Sequence, residues 1–248
     1  MGEPEGGILL RGLFGALGFL TMLPVRVGTA PRLMIPWFPV VGLVLGLFTA
    51  CFDTLVRLFY PPLAASVLDV ALLALLTGGL HVDGLADTAD GLLGLHDRER
   101  ALAIMKDSRV GAMGLLAVAL CLGMKVGALE AVADSRFLVL VVVPAHARAS
   151  LLFAMRKLPY GGDRGTGRDF FLERMDASVF VLCAVPVLVS LALGWRAIVI
   201  NAALLVFCLT MVRYYERRIG CVTGDMLGAM VEVGEAFFLL ALAARGPL

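Results

Sequence analysis

Charged side chains are scarce in this sequence. Asp, Glu, Lys and Arg make up 17% of the 248 residues, and only three residues are His. A 26.3 kDa chain folded in water with so few charges would expose large apolar patches, which soluble monomers avoid. The 21 basic and 20 acidic residues nearly cancel, so no basic field exists to hold a nucleic-acid backbone. The five Cys (51, 121, 183, 208 and 221) show no CxxC or other zinc-ligand spacing, and the first four lie in or beside apolar runs, where Cys packs as a small hydrophobe. There is no GxxxxGK[ST] phosphate loop. Glu3 and Glu5 stand where a secretory signal carries Lys or Arg, and Arg11 with several Gly breaks the apolar stretch from Ile8 to Leu23. That stretch reads as an uncleaved interfacial or re-entrant segment.

What the chain has in abundance is apolar length. Sixty per cent of its residues are hydrophobic before its 28 Gly are added, against roughly 45–50% with Gly included in soluble domains. Runs approaching the ~20 helical residues needed to cross a bilayer core recur at 36–59, 63–80, 110–133, 137–154, 178–193, 197–212 and 226–243. Each run is continuous, which predicts helices rather than the alternating strands of a barrel. The expected fold is an all-α polytopic membrane bundle of about seven transmembrane helices, with six or eight as the bounds, in a single domain over 1–248.

Tight turns at 60–62, 134–136 and 194–196 alternate with polar segments at 81–109, 155–177 and 213–224. The polar segments and the N-terminal stretch hold 15 of the 21 Lys and Arg, so the positive-inside bias places them all on the cytoplasmic side. Seven spans then put the C-terminus outside.

The densest chemistry lies in His81-Val82-Asp83-Gly84-Leu85-Ala86-Asp87-Thr88-Ala89-Asp90-Gly91, where an apolar span runs into three carboxylates. At 100° per residue, offsets of 0, 4 and 7 place Asp83, Asp87 and Asp90 at about 0°, 40° and −20°, on one narrow helical face. Carboxylates that close repel one another. A divalent cation resolves the repulsion, and an oxygen-only donor set suits Mg²⁺ or Mn²⁺. Ala and Gly fill the gaps where a solvated helix end would carry Lys or Arg partners. His81 falls on the opposite face, which favours a hydrogen bond or a nucleobase contact over a metal ligand.

Lys106-Asp107-Ser108-Arg109 precedes Gly111 at the mouth of the next span, with cations able to fork onto phosphate or to anchor the helix end. The last span opens with Asp225 and carries Glu232 and Glu235 at offsets 7 and 10. Acids at membrane depth face a polar cavity or a partner, and Lys125 and Arg148, both within apolar spans, are the candidate partners. Asp53 and Arg57, spaced i,i+4, read as a structural pair. The basic, Gly-rich loop at 159–168 is either a flexible connection or an anion cradle.

These motifs together resemble the cobalamin 5'-phosphate synthase (adenosylcobinamide-GDP ribazoletransferase) family. The resemblance runs through His81 to Gly91, Met105 to Gly111, and Val222 to Ala229 with Glu232 and Glu235. It extends to Phe19 to Val25, Trp37 to Gly42 and the intramembrane Lys125 and Arg148. It implies an integral enzyme of the cytoplasmic (inner) membrane with its active site facing the cytoplasm. That enzyme joins adenosylcobinamide-GDP to α-ribazole or its 5'-phosphate and releases GMP, with Mg²⁺ or Mn²⁺. Implied partners are the two substrates and the lipid bilayer, with no nucleic acid and with an oligomer left open.

On this reading Asp83, Asp87, Asp90 and Asp225 hold metal, and they are catalytic together with Glu232. His81, Lys106, Asp107, Ser108, Arg109, Lys125 and Arg148 contact substrate. Where the family often has Tyr-Ala-Arg, Tyr160 is followed by Gly161 and Gly162, so a basic contact is lost or shifts to Arg164. Two rivals stand beside this reading. A CDP-alcohol phosphotransferase is favoured by the DxxDG of Asp87 to Gly91 and disfavoured by its missing continuation. An ion-coupled transporter is favoured by intramembrane charges and disfavoured by the lack of an internal repeat.

Overall fold

A computed structural model describes residues 5–25, 30–162, 168–171 and 175–244. Among the described residues the chain is helical, and the only extended pairing is an isolated parallel bridge between Tyr160 and Val222. The helices are α1 (Glu5–Leu20), α2 (Pro31–Met34), α3 (Phe38–Val56), α4 (Pro62–Leu76), α5 (Leu80–Leu92), α6 (Arg98–Met105), α7 (Ala112–Ala131), α8 (Arg136–Lys157), α9 (Ala184–Ser190), α10 (Arg196–Arg218) and α11 (Gly224–Ala243). A 3₁₀ turn links α2 to α3, and 3₁₀ segments flank α9.

In an apolar medium each backbone polar group needs an internal partner, so continuous apolar runs fold as helices. Their ends are written in the sequence. Pro62 occupies the first turn of α4, where a missing N–H costs nothing, and Thr223 Oγ1 accepts the Met226 N–H to cap α11. Gly78 and Gly79 both have positive φ, 65° and 71°, and they turn the chain by 90° from α4 into α5. The apolar run expected over 63–80 therefore ends at Leu76, and the acidic segment forms its own helix.

Among the described residues five segments are long and apolar enough to cross a membrane: Pro31–Val56, Ala112–Ala131, Arg136–Lys157, Arg196–Arg218 and Gly224–Ala243. The bent α4–α5 pair makes a sixth if taken as one span. The seventh expected span, at 178–193, is the shorter helical stretch Ala177–Leu193, which is 3₁₀ at both ends. Because 3₁₀ backbone rises ~2.0 Å per residue against 1.5 Å, this stretch still reaches roughly 30 Å.

Helix α8 is the centre of the polytopic bundle and the most buried of the five spans. Helix α3 lies against it through Gly42 and Gly46; a Cβ on Gly42 would stand 2.5 Å from Ala145 Cα. This is the small-residue approach that substitutes for hydrophobic driving force between helices in lipid. Helices α7 and α10 are peripheral and expose Leu115, Leu116, Leu120, Ile198, Leu205 and Leu209, an apolar girdle suited to acyl chains rather than water.

The two ends of the bundle differ. At one end Arg136 Nε donates to Asp53 Oδ1 at 2.9 Å and its Nη2 donates to Asp69 Oδ2 at 2.8 Å, all three residues being buried. Asp53 is thus paired across helices with Arg136, a correction to the expected i,i+4 pair with Arg57. At the other end the three polar segments meet. Arg218 donates to the carbonyls of Leu92, Gly94 and His96, while the Val222 and Gly161 amides donate to the carbonyls of Pro159 and Val222.

Candidate active site

The site begins where α5 crosses α11. Gly84 lies against Asp225 so closely that a Cβ would stand 2.7 Å from the Asp225 carbonyl oxygen, and Gly228 lies against the backbone of His81. This contact buries His81, Gly84, Leu85 and Thr88 and turns the opposite face outward, with Asp83 exposed and Asp87 and Asp90 half-buried. The helical face expected from the 0, 4, 7 spacing is therefore present. Asp83, Asp225 and Asp90 all act electrostatically on Asp87, so the four carboxylates gather at one helix crossing.

Asp90 has a further engagement. Its Oδ2 accepts the Gly111 amide at 2.6 Å and its Oδ1 the Gly114 amide at 2.8 Å, which pins the first turn of α7 to α5. Only Gly fits there, because a Cβ at either position would collide with the carboxylate. Among the described residues, no group of three or more His, Cys, Asp or Glu side chains stands at metal-ligand spacing. The donor chemistry still fits a hard divalent cation, since the cluster offers carboxylate oxygens alone.

Beside Asp225 opens a cavity of about 330 Å³, walled largely by apolar side chains and reached by His81, Lys106, Tyr160 and Thr223. Burial, and then the Asp225 carboxylate, push the Tyr160 phenol above its ordinary range, which keeps it a proton donor. Lys106 is exposed where it reaches the cavity, and Ser108 is exposed on the segment that follows it. Arg109 forks onto Asp107, Nη2 to Oδ2 at 2.5 Å, in a solvent-facing pair that holds the Asp107 carboxyl down at about 2.

Glu232, Lys125 and Arg148 lie elsewhere. Lys125 Nζ stands 2.6 Å from both Glu232 Oε2 and Glu235 Oε2, and Arg148 Nη1 donates to Glu235 Oε1 at 2.8 Å. All four side chains are buried and none of them lines the cavity. The basic residues thus serve as partners of the α11 acids, one of the two uses open to them in the sequence. Arg164 and the middle of the Gly-rich loop, 163–167, lie outside the described residues.

Sequence reasoning missed Arg136 and Asp69, whose signal was a cation and an acid inside or beside apolar spans. It missed the aromatic wall of the cavity as well, for which no local pattern exists because the rings come from α1, α3 and the segment 168–171.

Comparison with known proteins adds to this geometry. The sequence model of the cobalamin-5-phosphate synthase family matches residues 12–243. A protein of Geotalea daltonii named adenosylcobinamide-GDP ribazoletransferase is 38% identical, the alignment covering 96% of this chain and 99% of the relative. Proteins of the same name from Syntrophobacter fumaroxidans and Brevibacillus brevis are 39% and 36% identical, each over 92% of this chain and over 96% and 95% of the relatives. No solved structure matches. The α5 carboxylates, the Lys106 to Gly111 segment and the α11 acids all fall inside the matched span, and the chain belongs to the cobalamin-5-phosphate synthase family.

Proposed function

We propose that the protein is an adenosylcobinamide-GDP ribazoletransferase of the cytoplasmic membrane. It joins adenosylcobinamide-GDP to α-ribazole or its 5'-phosphate and releases GMP, with the site open to the cytoplasm. The observation that carries this reading is the gathering of Asp83, Asp87 and Asp90 around Asp225, which lines an apolar-walled cavity that Lys106 also reaches. The shared name of relatives that align over nearly their whole length supports it.

In this reaction a ribazole hydroxyl oxygen attacks the phosphorus nearest the corrinoid, the bond to the GMP oxygen breaks, and the hydroxyl proton passes to a base. We assign that proton to Asp225 because it lines the cavity, whereas Glu232 is held in the buried ion network with Lys125. Lys106 and Arg109 supply positive charge for the pyrophosphate, with Asp107 orienting the Arg109 guanidinium. Asp83, Asp87 and Asp225 would hold Mg²⁺ or Mn²⁺, with Asp90 adding charge while it anchors α7. The cation would supply charge neutralisation on the pyrophosphate oxygens and on the departing GMP.

The orientation rests on the convergence of the Lys- and Arg-rich segments at the site end of the bundle. The test is GMP release by purified protein in lipid nanodiscs. GMP is expected only when both substrates and Mg²⁺ are present, and EDTA should stop it. CMP release from CDP-diacylglycerol or CDP-choline without GMP release from the corrinoid would install the CDP-alcohol reading instead. Release of neither nucleotide by folded protein would return the transporter class.

A further inference from the structure

The cavity beside Asp225 has a composition that distinguishes between the two substrates, and the inference below rests on the ribazole-transfer reading. Its wall includes four phenyl rings, Phe19, Phe38, Phe170 and Phe171, together with aliphatic Leu102 and Met155. Three of the rings pack on one another: the centroids of Phe19 and Phe170 are 4.6 Å apart, and Phe38 lies 6.0 Å from each. Rings arranged this way present faces and edges to a further aromatic plane.

The cavity's polar side chains are Asp225, Lys106, Tyr160, Thr223 and His81, of which His81 is the most deeply buried. His81 is 3% exposed, lines the cavity, and its Nδ1 has no hydrogen-bond partner among the described residues. A buried polar atom left unpaired in the free protein calls for a partner from outside. Guanine carries donors at N1 and N2 and acceptors at O6 and N7, which phenyl and aliphatic groups cannot satisfy, so the phenyl-lined part of the cavity suits it poorly. A fused ring with apolar edges and a single free ring nitrogen matches both the wall and the one unpaired atom.

We propose that this cavity is the subsite for the base of the acceptor nucleoside: a planar, benzimidazole-like ring stacked among the Phe side chains. In the tautomer with the proton on Nδ1, His81 donates to the free ring nitrogen. The ribose then points to Asp225, which lines the same cavity, and its hydroxyl is delivered to the carboxylate cluster. The GDP end of the donor is left to the exposed segment at 106–109. Lower-ligand selection is thereby assigned to the shape of an apolar pocket.

The experiment is equilibrium binding of nucleosides to the full-length protein in nanodiscs without corrinoid, so that it does not depend on turnover. Dimethylbenzimidazole riboside should bind at least tenfold more tightly than guanosine or adenosine. Leu102→Trp, which fills the cavity from the peripheral helix α6, should raise the acceptor Kd and KM at least tenfold and leave the donor KM within twofold. His81→Ala should weaken the acceptor about tenfold, and His81→Gln, which restores a donor, should recover part of the loss. Phe171→Ala should improve binding of a bulkier naphthimidazole riboside and so reads the same pocket by enlargement if the Trp variant does not fold.

Guanosine binding as tightly as the benzimidazole riboside, or a rise in donor KM alone in Leu102→Trp, would overturn the assignment while leaving the transferase reading intact. Selective binding of the riboside without GMP release would do the reverse.

Discussion

Lys125 Nζ stands 2.6 Å from Glu235 Oε2, joining α7 to α11 in the buried middle of the bundle. Lys125 also holds Glu232, and Arg148 holds the other oxygen of Glu235, so two cations and two anions balance out of reach of water. Such a network is costly to break from one side, because the group left behind keeps its charge without its partner.

Lys125→Met should therefore destabilise the protein by about 3–5 kcal/mol, read as a lower thermal midpoint in detergent. Lys125→Met combined with Glu232→Gln leaves Glu235 balanced by Arg148 and should regain much of that loss. A double variant no more stable than Lys125→Met would show that Glu232 and Lys125 do not act as a pair.

The carboxylate cluster should behave in the opposite sense. Asp83→Asn, Asp87→Asn and Asp225→Asn each remove a repelling charge, so folding should be unchanged or slightly improved, while GMP release should fall on the order of a hundredfold or more. Asp90→Asn should lose activity and stability together, since one oxygen that accepts an α7 amide is replaced. Near wild-type turnover in Asp83→Asn and Asp87→Asn at low Mg²⁺ would reduce the acidic face to a solvated helix surface.

Gly84→Ala should test the crossing itself. The new methyl would lie 2.7 Å from the Asp225 carbonyl oxygen, and overpacking of this kind costs about 1–3 kcal/mol. Because the shift moves Asp225 away from Asp83 and Asp87, turnover should fall further than stability alone explains. Full activity in a stably folded Gly84→Ala protein would mean that the α5–α11 spacing does not set the site.

The Asp107–Arg109 fork gives a pH expectation. The Asp107 carboxyl is lowered to about 2 from 3.8, so its pairing is complete above the higher value and is lost only as pH falls through the lower one. Between roughly pH 5 and 7 the pH dependence of turnover should therefore be the same in Asp107→Asn as in the parent protein, while Arg109→Gln should raise the donor KM about tenfold. A pH profile in that range that changes with Asp107→Asn would contradict this assignment.

Orientation is checked by cysteine labelling in a Cys-free background. Cysteine at Arg98 or Arg217 should react only from the cytoplasm, and cysteine at Arg57, beside the Asp53–Arg136 end, only from outside. Labelling of Arg98 or Arg217 positions from the exterior would invert the bundle.

The sequence by itself determined most of the spans, the alternation of tight turns with polar segments, and the single face shared by Asp83, Asp87 and Asp90. The bend after Leu76 and the shortness of Ala177–Leu193 were not legible in it. The features it determined are local: a helix repeats every 3.6 residues, so apolar length and carboxylate spacing are read without knowing what lies opposite. Tertiary structure alone decided the partners. Asp53 is as near in sequence to Arg57 as a helix allows, yet in the buried core it meets Arg136 from the start of α8. Asp90 spends both oxygens on α7 amides twenty-one and twenty-four residues away, Lys125 settles on Glu232 and Glu235, and phenyl rings from three separated segments close one cavity. Which charge meets which, and which rings share a wall, depends on how closely Gly42, Gly46 and Gly84 let the helix backbones approach, and that distance is a property of packed pairs that no single segment encodes.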